Sequence, residues 1–162
     1  MKKLLIVLFV FVVSISASAQ SYGKSKVLNR FYVGFDNEKK IKDDLNYNDL
    51  QEYSLFNKAD LKLIRFNGYM YKNQACNIVL LLVDDVLYGV QYYPLRDSRL
   101  LNYISMLDKN FKKETNWKNP LAEVVWTNDV LVIYKEMTDD YREYFIHYNK
   151  EMLKKYPQYK DF

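Results

Sequence analysis

Residues 75–93 read ACNIVLLLV, then DD, then VLYGVQYY, and they decide the fold. The run 75–83 is too apolar for an exposed edge and too short for a typical helix, so it reads as a strand central in a sheet. Asp84-Asp85 is a two-residue turn, and 86–93 returns as the partner of an antiparallel hairpin. Pro94 ends the return strand, because proline cannot donate to a ladder.

Upstream, Leu61 to Phe66 alternates like a strand. Asn67-Gly68 follows, a strong short-range hairpin signal because a type I′ turn needs positive φ at both central positions. The chain then returns over 69–71 and turns again at 72–74. Residues 27–35 place Phe31, Val33 and Phe35 on one face and are expected to form a strand. Residues 36–48 are crowded with charge and read as loop. Asn48 is placed to cap a short helix over 49–56, with Asp49 and Glu52 in its first turn.

Downstream, Leu100, Ile104, Leu107 and Phe111 make a helical stripe, which predicts the main helix at about 98–113, capped by Asp97 or Ser98. A connector at 116–120 leads to a hairpin of 121–126 and 130–137. After the turn at 138–140, residues 141–148 alternate as a strand, with a helix through 156 as the rival reading. A short helix over 149–156 is stopped by Pro157. Short links of this kind join antiparallel neighbours. The expected class is α+β: an antiparallel β-sheet built from hairpins, with one main helix packed on one face and a short C-terminal helix. Two similar units, turning at Asp84-Asp85 and Asn128-Asp129, flank that main helix.

The first nineteen residues read as an address. Lys2-Lys3 precedes ten apolar residues (4–13), and Ala17-Ser18-Ala19 is an A-x-A cleavage pattern. This is the layout of a secretory signal peptide cut between Ala19 and Gln20; ten apolar residues are too few for a span, which takes about 20. The leader's Ala-x-Ala-Gln ending resembles those of Bacteroidota. The expected organisation is a signal peptide at 1–19, a flexible tail at 20–26 and one domain at 27–162, delivered to the periplasm or the exterior. Losing Lys2 and Lys3 lowers the formal charge from +4 to +2, which weakens any nucleic-acid reading. No later segment is apolar for long enough to cross a membrane.

The composition is 49% hydrophobic and 27% charged, that of a folded chain. One Cys forbids an internal disulfide. The four glycines, at 23, 34, 68 and 89, make neither a dinucleotide fingerprint nor a phosphate-cradling loop. No G-x-S-x-G elbow occurs. His147 and Cys76 are the only His and Cys, too few for a structural zinc site, so neither metal nor cofactor is expected. A Cys76–His147 nucleophile pair is the remaining covalent option, but Cys76 opens a very apolar strand and is expected to be buried and inert. His147 is expected on a half-exposed strand face.

Two clusters remain. Tyr88, Tyr92, Tyr144 and Tyr148 sit on strands at same-face spacing and are candidates for a tyrosine row that binds protein, peptide or glycan. Glu136, Asp140 and Glu143 are the acidic group to watch, since paired carboxylates about 5–9 Å apart serve glycoside hydrolysis. The balance favours an exported, non-catalytic binding or accessory protein of the bacterial cell envelope. An inhibitor or immunity-type protein against an envelope-acting enzyme is one alternative; a carboxylate-dependent hydrolase is the other.

Overall fold

A computed structural model describes residues 25–45, 50–55, 58–115, 124–140 and 142–160. The expected leader, the Asn48 cap, the 116–120 connector and residues 121–123 lie outside them. The architecture is α+β and dominated by an antiparallel sheet. Eight strands run in the order β3 (Leu50–Leu55), β4 (Lys58–Tyr71), β5 (Gln74–Val83), β6 (Val86–Pro94), β10 (Glu143–Asn149), β9 (Leu131–Met137), β8 (Val124–Thr127) and β7 (Lys112–Thr115). Two consecutive four-stranded meanders therefore meet at one seam, where β6 pairs with β10. Each is preceded by a helix: α1 (Glu38–Asp44) before β3 and α2 (Asp97–Asn110) before β7. The two-unit reading holds in outline, but its register was one hairpin off. The Asp84-Asp85 turn corresponds by order to the turn after β9, and not to Asn128-Asp129. No helix among the described residues is long and apolar enough to cross a membrane.

The hairpin that anchored the reading is present. Asp84 and Asp85 have φ of 50° and 62°, the two left-handed positions of a type I′ turn. Both carboxylates are used: Asp85 accepts from the Glu38 amide at 3.2 Å, and Asp84 from the Tyr156 hydroxyl at 2.6 Å. Elsewhere the structure corrects the sequence. Asn67-Gly68 is no hairpin. β4 runs through it with a register shift between Phe66 and Tyr69, and only Gly68 of the two takes positive φ. The I′ turn lies at Lys72-Asn73, with φ of 49° and 59°. Residues 50–55, read as part of a helix, pair with β4 as a strand. Residues 27–35 are not one strand. Lys26–Val27 (β1) and Phe31–Tyr32 (β2) form a small hairpin around Leu28 and Asn29, both at positive φ. Lys26, assigned to the tail, pairs with Tyr32.

α1 lies inside the segment read as loop. The Asn37 side chain accepts from the Lys40 amide at 2.9 Å, and Glu38 meets Lys42 at 2.6 Å one turn on. α2 starts one residue early and stops three residues short of the expected end, because Lys112 already pairs with Thr127 in β7. Its cap residue is Arg96, which makes no side-chain cap. Asn149 caps α3 (Lys150–Lys155), accepting from Glu151 and Met152, and a 3-10 turn follows at Pro157–Tyr159.

The sheet buries apolar side chains on both faces. On one, Ile64, Ile78, Leu80, Val90, Tyr92, Ile133 and Phe145 pack with Phe31, Ile41, Tyr103 and Leu107. Cover there is shared by the β1–β2 hairpin, α1 and α2. On the other face, Leu61, Val83, Tyr88, Val132 and Tyr148 pack with Tyr159, while Met152 and Tyr156 lie against them.

Candidate functional site

The four tyrosines do not form a row. Tyr88, Tyr92 and Tyr148 are buried, at 0%, 4% and 0% exposure. The cause is a bulge. Leu82 pairs with Leu87 but Leu81 pairs with Gly89, so β6 carries one extra residue at Tyr88. Beyond it the alternation reverses, and Tyr88 and Tyr92 face opposite sides of the sheet. Tyr92 lies under α2, its ring 4.6 Å from that of Tyr103. Tyr88 and Tyr148 lie under the C-terminal segment, donating to the Tyr156 and Lys160 carbonyls.

Tyr144 alone of the four keeps exposure, and its companion is Tyr93. The two rings stack across the β6–β10 seam with centroids 4.8 Å apart and planes 12° from parallel. Both are half-buried. The Tyr93 hydroxyl donates to Gln91 Oε1 at 2.9 Å, which fixes the ring. Burial, and then the neighbouring Tyr144, pushes the Tyr93 phenol up to about 12, while nearby Arg65 pulls the other way. Both phenols stay neutral at physiological pH. Tyr93 sits one place from a residue the sequence singled out; only the bulge, which apolar spacing does not reveal, moved the exposed ring by one.

Around this pair the face carries Asn77, opposite Tyr93 in the ladder, and exposed Arg65. Arg65 Nε donates to Asn67 Oδ1 at 3.2 Å and has no carboxylate partner among the described residues. Gly68 N donates to Asn77 Oδ1 at 3.3 Å, so the bulge in β4 orients the amide. A cleft of about 260 Å³ opens here, lined by Arg65, Asn77, Tyr93 and Pro94 and, from the turn between β9 and β10 onward, by Thr138, Asp140, Arg142 and Glu143.

The acidic group is brought together only in part. Glu136 lies opposite Tyr144 and Glu143 opposite Met137, so strand alternation sends Glu136 and Glu143 to opposite faces. Glu143 is held by Lys135 at 2.6 Å. Asp140 sits in the turn, where the Thr138 hydroxyl first and Arg142 second hold its carboxyl below the usual range. Asp140 and Glu143 both line the cleft beside Tyr93, but each is engaged by a cation, Arg142 and Lys135 respectively, and Glu136 does not line it.

His147 is buried, not half-exposed. Its Nδ1 lies 2.9 Å from the Val90 carbonyl and its Nε2 2.6 Å from the Tyr103 hydroxyl. The consistent assignment has Nδ1–H donating and Nε2 accepting from Tyr103. Burial lowers its pKa to about 4. Cys76 is buried as expected, its thiol donating to the Tyr69 carbonyl at 3.3 Å. Burial pushes that thiol up to about 12, so it carries no thiolate near neutrality. With both nitrogens of His147 engaged, the imidazole is not available to activate Cys76.

No protein-family model, curated protein or solved structure matches the chain.

Proposed function

We propose that the chain is an exported binding protein of the bacterial cell envelope, engaging a protein partner through the open end of the sheet face around Tyr93 and Tyr144. The observation that carries this reading is the stacked pair itself. Two aromatic rings, held by each other and by the Gln91 contact, offer a flat apolar surface on a rigid sheet. Beside them Arg65 keeps a guanidinium without a carboxylate partner among the described residues. Tyrosine and arginine dominate interface hot spots because each combines a large contact area with a polar tip. α2 packs on the other face of the sheet, and the cleft beside Tyr93 gives a partner an entry on this one. The A-x-A leader supports export.

Photo-crosslinking in cells tests this. A photoreactive residue at position 144 is expected to trap one discrete partner, and one at exposed Leu101 on α2 is not. Sequencing the recovered chain is expected to give Gln20 as its first residue. Equal trapping at both positions, or a mature chain retaining Met1 in the cytosol, would count against the reading.

A further inference from the structure

On the opposite face, a cavity of about 120 Å³ opens between α2 and the β4–β5 hairpin. Its lining includes Tyr71, Lys72, Gln74, Tyr92, Arg99 and Asn102. Two features set it apart. The first is charge: Lys72 and Arg99 both line it, and no carboxylate does among the described residues. Neither cation has a carboxylate partner among those residues. The Arg99 guanidinium is held by donating one N–H to the Ala75 carbonyl, and Lys72 Nζ lies 5.4 Å from the centre of the Tyr71 ring. The second is Tyr92. It is only 4% exposed and lines the cavity; its hydroxyl makes no hydrogen bond to the described residues, and because none of their buried side-chain polar atoms lacks a partner, that hydroxyl is open to the cavity's solvent. A phenol without a protein partner that opens onto a cavity is a donor free for water or for a ligand there. Burial keeps that phenol protonated, hence a donor.

The space suits roughly four waters, each taking about 30 Å³, and is far below that of a drug-sized ligand pocket. Donors and cations without an acceptor-rich partner select a compact acceptor carrying negative charge. We propose that this cavity binds a small oxyanion, a phosphate or carboxylate group, with Lys72 and Arg99 supplying charge and the Tyr71 and Tyr92 hydroxyls donating hydrogen bonds. The site lies across the sheet from the stacked tyrosines and does not depend on their role.

Calorimetric titration of the purified chain with inorganic phosphate, and separately with acetate, at low ionic strength tests it. At least one anion is expected to bind, more weakly as sodium chloride is added. Tyr92→Phe removes one hydroxyl and is expected to lower the affinity about tenfold, the size of a hydrogen bond to a charged group. Its unfolding temperature is expected to be unchanged, because that hydroxyl has no described protein partner. Lys72→Gln is expected to weaken binding and flatten its salt dependence, and serves as the second variant should Tyr92→Phe disturb packing. Lys109→Gln, outside the cavity, is expected to bind like the parent. The proposal is overturned if neither anion binds at millimolar concentration. It is equally overturned if Lys109→Gln weakens binding as much as Lys72→Gln, or if the Tyr92 and Lys72 variants both bind as tightly as the parent.

Discussion

His147 shows how one residue couples the fold to pH. Its folded pKa is about 4, and an unfolded histidine titrates near 6.5. Between these values the unfolded chain binds more protons than the folded one. The contribution is thus complete above about pH 6.5 and is lost as pH falls towards 4, reaching about 3 kcal/mol. Denaturant melts across that window are expected to show the loss, and His147→Gln is expected to flatten it. Tyr103→Phe leaves Nε2 as a buried acceptor without its donor and is expected to cost about 1–3 kcal/mol by the same melts. Cys76 is expected to resist thiol reagents in the native state and to react once denaturant is added. The burial of Cys76 was legible, since it opens the most apolar run in the chain. That of His147 was not: its partner is on a helix 44 residues away, and alternation alone does not say which face is covered.

At the scale of elements, long apolar patterns read true and short polar ones misled. β5, β6, β9, β10 and α2 each bury several side chains, and each was found near its expected place. α1 buries only Ile41, so no apolar period announces it; its capping Asn37 and its ion pairs were the available signal. Residues 50–55 had acceptable helix chemistry, but their pairing with β4 decides the outcome. Asn67-Gly68 carried the right residues for a hairpin, yet β4 pairs with β5 on both sides of it, from Leu61 opposite Val83 to Tyr71 opposite Gln74. The true turn has Asn73 at φ 59°, where glycine is the easier fit. Asn73→Gly is expected to raise stability by about 0.5 kcal/mol in chemical denaturation. A loss of stability would mean that the Asn73 side chain is needed.

Among the described residues, the two four-stranded units are joined in the sheet only by β6 and β10. Gly89 sits on that seam. A Cβ there would lie 3.0 Å from the Tyr148 ring and 3.3 Å from the His147 carbonyl oxygen. Gly89→Ala is expected to destabilise by about 1–3 kcal/mol, read from the thermal midpoint. The same seam stacks Tyr93 on Tyr144, so the joint between the units also builds the surface proposed to meet a partner. Composition pointed to that surface through its tyrosine surplus, but the bulge at Tyr88 hid which rings stay exposed. The most direct measurement compares immobilised parent and Tyr144→Ala chains for what they retain from envelope extract, with thermal melts confirming that both are folded. A discrete protein retained by the parent and reduced about tenfold or more by the variant is the expected result, in the range of a hot-spot side chain. Equal retention by two folded chains would contradict the account.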